Sequence, residues 1–179
     1  MTAVMQIQKQ SLLKPQDVVV AIKFFIAKHQ QITFAKLALE LCLSTSEVHG
    51  AYKRAEMAGL MHSLNGSPMA NRQPLSEFLV HGVKYAFPAS TGAPTRGMLT
   101  GLAASPIKSL FPTAMHAPYV WPDAHGADQG ISLLPLYPTI PQAARQDLLL
   151  YEILALVDML RAGAAREREM AEVELAKRI

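Results

Sequence analysis

Cysteine is almost absent from this chain of 179 residues, which holds a single one at position 42. One cysteine excludes an intrachain disulfide framework and any Cys-x-x-Cys zinc site. Charged residues are also scarce, at 17%. The longest apolar run, 148–160, is interrupted by Glu152 and Asp158 and is too short to span a bilayer. The amino end lacks the basic and apolar regions of a signal peptide. We therefore expect a soluble, cytoplasmic protein that does not cross a membrane.

Motifs of the common enzyme classes are missing as well. The sequence has no nucleophile elbow, no phosphate-binding glycine loop and no His-Glu-x-x-His pair. Glu77 and His81 share a helical i,i+4 spacing, but the sequence nominates no third metal ligand for them. A looser acidic and histidine group lies in a proline-rich stretch, where turn roles are more common: His116, Asp123, His125 and Asp128. We therefore expect no enzymatic activity, no metal site and no cofactor.

The chain does have enough apolar side chains to form a core, since they make up 50% of the residues. Eight of the 12 prolines lie in residues 88–140, so we expect short strands and loops there instead of long helices. The expected strands lie at 119–121 and 131–134, with a turn at 123–128. Helical periodicity returns in two C-terminal segments, 141–162 and 164–178. The composition of these segments predicts an α+β fold.

The amino-terminal third begins with a predicted helix. Pro15 suits its first turn, and Asp17 favours the positive end of its dipole. Apolar residues follow at helical spacing to about residue 29, which leaves Lys23 and Lys28 facing outward.

Two further helices follow, and their starts are marked by capping residues. Thr33 is a good N-cap for the second helix. Ser44 and Glu47 have the spacing of a capping box at the start of the third helix. Gly59 suits a left-handed position at the end of that helix.

A set of residues within 14–61 combines small, apolar and capping positions around a tight turn: Leu37, Ala38, Leu41, Leu43, Ser44, Ser46, Val48, Lys53, Arg54, Gly59, Leu60 and Met61. This pattern resembles the helix-turn-helix of bacterial winged-helix transcriptional regulators. Small Ala38 admits close helix packing, and Leu43 fills the turn. Two positions depart from the family pattern. Cys42 stands where glycine is usual, and Gly50 stands where a long side chain is common.

The resemblance implies that the third helix enters the major groove of double-stranded DNA. Its periodicity places Val48, Ala51 and Ala55 inward. Five side chains are then predicted to face outward and contact DNA: Thr45, Ser46, His49, Lys53 and Arg54. The hydroxyl and imidazole groups suit base edges or phosphates, and the two cations suit phosphates or guanine.

The same resemblance implies a β-hairpin, the wing, after the third helix. We expect four successive segments there: a strand at 60–62, a polar loop at 63–73 with a turn at Asn65-Gly66, a short helix at 74–82 ended by glycine, and a strand at 83–87. On this wing, three cations are placed to contact DNA phosphates: Arg72, Lys84 and Arg96.

Dividing the charge along the chain separates two regions. Residues 1–87 hold nine basic and five acidic side chains, whereas residues 88–179 hold eight basic and nine acidic ones. The basic excess therefore lies in the region with the DNA-binding pattern. We predict a winged helix-turn-helix domain over 1–87. Over 88–179 we predict a small mixed segment followed by two C-terminal helices that serve dimerisation or partner binding.

The role of the two C-terminal helices has two interpretations. The broad apolar stripe of the helix at 141–162 either forms the core beneath the mixed segment or forms an intermolecular seam of a homodimer. The helix at 164–178 has the composition of an exposed amphipathic arm.

These observations predict a DNA-binding transcriptional regulator, specifically a dimeric repressor that reads an operator with its third helix. The alternative is a protein–protein interaction module, or an antitoxin-like autoregulator whose C-terminal half binds a partner protein. A ligand sensor would instead have a pocket among Tyr119, Trp121 and Tyr137.

Overall fold

The computed structural model describes residues 12–27, 32–110 and 117–179. Three helices and a hairpin come first: α1 (Pro15–Ala27), α2 (Phe34–Leu41), α3 (Thr45–Met57), β1 (Met61–Leu64) and β2 (Ser67–Ala70). A continuous helical segment follows, with one π-helical stretch inside it: α4 (Arg72–Glu77), the π-helical stretch (Phe78–Gly82) and α5 (Val83–Ala86). The predicted first helix is present over Pro15–Ala27, and Lys28 and His29 lie outside the described residues.

The remaining elements form a small sheet and a helical layer. The strands of the sheet are β3 (Thr91–Thr100), β4 (Tyr119–Pro122) and β5 (Asp128–Leu133). A 3-10 turn (Gly101–Ala103) and the short helix α6 (Ser105–Lys108) lie between β3 and β4. The helical layer is α7 (Ile140–Gln146), α8 (Leu148–Ala162) and α9 (Ala165–Ala176). The predicted α+β class is therefore confirmed, and the expected strands near 119 and 131 are both present.

The hairpin after α3 is formed by a shorter segment than expected. Strands β1 and β2 pair antiparallel, with Met61 opposite Ala70 and Leu64 opposite Ser67. Asn65 and Gly66 both have positive φ angles, of 51° and 80°, so they form the two-residue turn that matches the twist of a hairpin. The prediction of a loop over 63–73 and of a second strand at 83–87 is wrong. The Asn-Gly turn closes the hairpin directly.

Residues 83–87 are helical because they continue the apolar face of α4. Leu75, Leu79 and Val83 follow one another at four-residue intervals and are all fully buried. Gly82 does not end this helix. A β-carbon there would lie 2.8 Å from the ring of Phe78, so glycine makes room for that ring. The helical spacing of the three apolar residues was visible in the sequence and outweighs the β propensity of 83–87.

The second sheet has three strands, and each pairs with the other two. Strand β3 pairs antiparallel with β4 and with β5, and β4 pairs in parallel with β5 through Tyr119 and Ile131. Strand β3 was not predicted, because Pro94 lies within it. A register shift between Thr91 and Pro94 accommodates that proline in the pairing with β5. Glycine at 97 lets the strands approach closely, since a β-carbon there would overlap the carbonyl oxygen of Trp121.

Helix α8 lies in the core, which favours the first interpretation of its apolar stripe. Ile153, Leu156 and Val157 are fully buried, and the other residues from Leu154 to Leu160 are at most 3% exposed. The helix predicted at 141–162 is divided into α7 and α8, because the backbone at Asp147 is extended. The side chain of Asp147 accepts a hydrogen bond from the amide of Leu150 at 3.0 Å and caps α8.

Helix α9 packs on α8, so the prediction of an exposed arm is wrong. Ala171, Leu175 and Ile179 are buried. The guanidinium of Arg178 donates to the carboxylate of Glu152 on α8 at 2.7 Å. Ala171 and Leu175 of α9 therefore close the core of its own chain, whereas Val173 stays exposed.

Buried residues from α1 to α9 belong to one continuous apolar cluster, which includes Ile22, Leu37 and Val48 from the first helices and Ile153 from α8. Within the described ranges, no helix combines the length and the apolar character needed to cross a bilayer.

Candidate nucleic-acid interface

The turn between α2 and α3 forms as the sequence predicts. The Thr33 hydroxyl oxygen caps α2 by accepting a hydrogen bond from the amide of Lys36 at 3.1 Å. Cys42 adopts the left-handed conformation, with φ 54° and ψ 45°, that favours glycine. The amide of Leu43 then donates to the carbonyl oxygen of Ala38 at 2.9 Å and closes the turn.

Helix α3 is anchored at its amino end by the predicted capping box. The Ser44 hydroxyl accepts from the amide of Glu47 at 3.1 Å, and the Glu47 carboxylate accepts from the amide of Ser44 at 2.8 Å. These hydrogen bonds lower the pKa of the Glu47 carboxyl below its ordinary value. The first turn of α3 therefore has a fixed position and carries a stable negative charge.

The outer face of the first half of α3 is open to solvent. Thr45, Ser46 and His49 are exposed, whereas Val48 and Ala51 are fully buried on the opposite side. The ring of His49 packs edge-on against Phe34 of α2, with the ring centroids 5.5 Å apart. Three of the five predicted DNA-contacting side chains of α3 thus share one accessible face.

Arg54 does not share this face, and the prediction that it points outward is wrong. Its guanidinium donates two hydrogen bonds to the carboxylate of Asp17 on α1, at 2.8 and 2.6 Å. Asp17 is fully buried and also accepts from the amide of Lys14 at 2.8 Å. The pairing raises the pKa of Arg54. The side chain turns inward because a buried carboxylate without a charged partner would strongly destabilise the fold.

Lys53 is exposed but has an acidic neighbour. Its ammonium lies 3.0 Å from the carboxylate of Glu56 and over the ring of Tyr52, 5.3 Å from the centroid. The Glu56 carboxylate also accepts from the Tyr52 hydroxyl. Burial and this carboxylate raise the pKa of Tyr52 to about 12. Lys53 can still exchange its surface partner for a phosphate, because an exposed pair of this kind is weak.

The remaining predicted contacts lie on other elements. Strands β1 and β2 contain no lysine or arginine, so the hairpin contributes no cation. At the start of α4, the Arg72 guanidinium donates to the carbonyl oxygen of Ile179. Lys84 is half-buried on α5, with its ammonium 5.0 Å from the ring centroid of Tyr85. On β3, Arg96 donates to the carbonyl oxygen of Gly126 at 2.7 Å. The structure does not bring these three cations onto a wing.

Two hydroxyl groups of the C-terminal half donate hydrogen bonds to the helix-turn-helix segment. The hydroxyl of Tyr137 donates to the carboxylate of Glu47 at 2.9 Å. The hydroxyl of Thr139 donates to the carbonyl oxygen of Leu41 at 2.7 Å. Neither contact was predictable from the sequence, because the paired residues are 90 and 98 positions apart and give no local signal.

A salt bridge network around the buried Lys23 also joins the two halves, and it corrects the outward placement of this lysine. The Lys23 ammonium lies 2.8 Å from Glu40 on α2 and 2.5 Å from Asp147 at the start of α8. Burial acts to lower the pKa of Lys23, but the two carboxylates outweigh it and the pKa is raised. Lys23 is therefore a structural cation.

Two of the acidic side chains considered as metal ligands, Glu77 and Asp123, have other partners in the structure. No three His, Cys, Asp or Glu side chains meet in a metal-binding arrangement within residues 12–27, 32–110 and 117–179. Glu77 accepts a hydrogen bond from Gln73 at 3.1 Å. Asp123 forms an ion pair with Arg145, and His116 lies outside the described residues.

Comparisons of the chain with protein families, with curated proteins and with solved structures find no match.

Proposed function

We propose that the protein is a DNA-binding transcriptional regulator whose helix α3 reads double-stranded DNA. The observation that carries this proposal is the capped, exposed amino-terminal half of α3, which follows a tight turn from α2 and precedes a short hairpin. In a helix-turn-helix, base contacts come from this part of the second helix. We accordingly assign residues 1–87 to a winged helix-turn-helix domain, with β1 and β2 as its wing.

The proposed DNA contacts are those that remain accessible. Thr45, Ser46 and His49 would face the base edges, and Lys53 would contact a phosphate. Lys36 on α2 is also exposed and would reach the backbone beside them. Arg54 is assigned to folding instead, since it neutralises buried Asp17.

A scarcity of cations on this face makes dimerisation part of the proposal. Each neutralised phosphate contributes about −0.9 to the slope of log affinity against log salt, so two lysines per protomer give a shallow dependence of about −2. Two protomers on a symmetric operator would double it. Since α8 is buried within its own chain, the dimer contact would use the outer face of α9, where Val173 is 57% exposed.

A salt-titrated gel shift with the upstream region of its own gene tests the proposal. Lys53→Ala should weaken binding and reduce the magnitude of the salt slope by about one per protomer. Lys177→Ala is the matched control. Lys177 is similarly exposed and also pairs with a glutamate three residues away, but it directly follows α9. Equal affinities of the two variants, or no shift at all with the unaltered chain, would contradict the assignment of α3.

A second candidate is a protein–protein interaction module, including an antitoxin-like autoregulator that binds a partner protein. Three large apolar side chains of α2, α3 and β1 are solvent-exposed, namely Leu39 at 78%, Met57 at 70% and Leu64 at 51%. A partner protein that covered them would remove this apolar surface from water. This candidate is preferred if the intact chain binds no duplex at low salt.

A further inference from the structure

A cavity of about 340 Å³ lies between the end of the β3–β5 sheet and the junction of α8 with α9. It is lined on one side by Thr100 and Leu133, at the ends of β3 and β5, and on the other by Met159 of α8. Its size falls within the range of small-molecule sites, about 300 to 1,000 Å³. Neither the proposed DNA face nor the hairpin contributes to it.

Most of the described cavity wall is apolar, and the charged groups that line it within residues 12–27, 32–110 and 117–179 are both acidic. Leu102, Leu133 and Met159 supply aliphatic surface, and the two charged side chains are Asp158 and Glu167. A wall of this kind disfavours a carboxylate or phosphate ligand, because burying a like charge beside a carboxylate is costly.

The two carboxylates differ in whether a protein cation already pairs with them. Asp158 is almost fully buried and accepts hydrogen bonds from Thr100 at 2.8 Å, Trp121 at 2.6 Å and Arg161 at 2.7 Å. Arg161 also pairs with it as an ion. The charge of Asp158 is therefore already neutralised, and its role is to join α8 to the sheet.

Glu167 lies in the first turn of α9 and keeps an unneutralised charge. One of its carboxylate oxygens accepts from the amide of Ala164 at 2.9 Å. Among the described residues no cation forms an ion pair with it. The side chain stays close to the junction, because Gly163 leaves no side chain between Glu167 and Met159. The cavity thus has an apolar body and one available negative group.

We propose that this cavity binds a small organic cation, an ammonium group on an apolar body, with Glu167 as the counter-ion. The apolar body would lie against Leu133 and Met159, and the ammonium would donate to Glu167 and to the hydroxyl oxygen of Thr100. One of the three pocket residues named for a ligand sensor, Tyr119, lines this cavity. Tyr137 is instead engaged with Glu47, and Trp121 lies behind Asp158.

The intrinsic fluorescence of the intact chain provides the assay. Trp121 is the single tryptophan, and its indole donates to Asp158 in the cavity wall. Three probes share a phenyl ring and differ in charge: benzylammonium, benzyl alcohol and phenylacetate. We expect saturable binding of benzylammonium, weaker binding of the alcohol and no binding of phenylacetate. Absence of saturation with benzylammonium, or equal affinities for all three probes, would overturn the proposal.

Glu167→Gln tests the counter-ion. Glutamine keeps the capping interaction with Ala164, so the fold of α9 is retained. We expect about fivefold weaker benzylammonium binding and unchanged benzyl alcohol binding. Glu169→Gln is the control, because Glu169 is exposed on the same helix and does not line this cavity. Equal loss in both variants, or no loss in Glu167→Gln, rejects the assignment. The assay contains no DNA, so it fails or succeeds independently of the proposed regulator function.

Discussion

The hydroxyl of Tyr137, in the segment before α7, donates a hydrogen bond of 2.9 Å to the carboxylate of Glu47 in the first turn of α3. Glu47 is also the residue that closes the capping box with Ser44. The C-terminal half of the chain therefore contacts the residue that fixes the start of the proposed recognition helix. Position and charge of that helix depend on both halves of the protein.

Tyr137→Phe should raise the pKa of Glu47 towards its ordinary value. The hydrogen bonds from Ser44 are the larger causes of the lowered pKa, and the one from Tyr137 is the smaller, so the shift should be partly lost. Because the pKa of Glu47 is lower in the folded state than its ordinary value of 4.5, the ionised carboxylate stabilises the fold above pH 4.5. This stabilisation is lost as the pH falls through the lowered pKa. An NMR titration of the Glu47 carboxyl measures the change.

Tyr85→Phe is the control for that titration, because Tyr85 is 77% exposed on α5 and its ring contacts Lys84. Loss of the Tyr85 hydroxyl should leave the pKa of Glu47 unchanged. An identical Glu47 pKa in Tyr137→Phe and in the unaltered chain would show that the contact is not kept in solution.

Arg54→Ala should destabilise the fold by about 3 kcal/mol, because it leaves the fully buried Asp17 carboxylate without its charged partner. Lys53→Ala, one position earlier, should cost less than about 1 kcal/mol since its pair with Glu56 is exposed. Urea denaturation of the two variants measures the difference. Similar midpoints would mean that Arg54 is not a structural residue.

Gly97→Ala should destabilise the three-stranded sheet by about 3 kcal/mol or more, because its β-carbon would overlap the carbonyl oxygen of Trp121. Gly92→Ala is the matched change in the same strand, since a β-carbon there lies 3.5 Å from Ser132, an ordinary contact. Thermal unfolding followed by Trp121 fluorescence compares them. The close packing of β3 against β4 is disproved if both variants melt alike.

Cys42→Gly should stabilise the protein by about 0.5 to 1 kcal/mol. Cys42 holds a left-handed conformation at φ 54°, which is unfavourable for a residue with a β-carbon and free of strain for glycine. Cys42→Ala removes the thiol but keeps the β-carbon, so it should bring no gain. Chemical denaturation of both variants distinguishes relief of backbone strain from loss of the thiol.

Local signals in the sequence determined the elements that depend on neighbouring residues. Thr33, Ser44 and Glu47 cap their helices where predicted, and Asn65-Gly66 turns where predicted. Each of these features spans four residues or fewer. The fit is close because a cap or a tight turn is satisfied by the backbone next to it.

The tertiary structure alone decided which charged and apolar side chains stay accessible. Arg54 has the same charge and spacing as an outward cation, yet it turns inward because Asp17, 37 residues earlier, lies buried beside it. In the same way, Lys23 forms salt bridges with Glu40 on α2 and with Asp147 at the start of α8. The sequence determined where α2, α3 and the hairpin turn begin. Long-range pairing determined the surface, because a buried charge is stable only beside a partner that the fold brings to it.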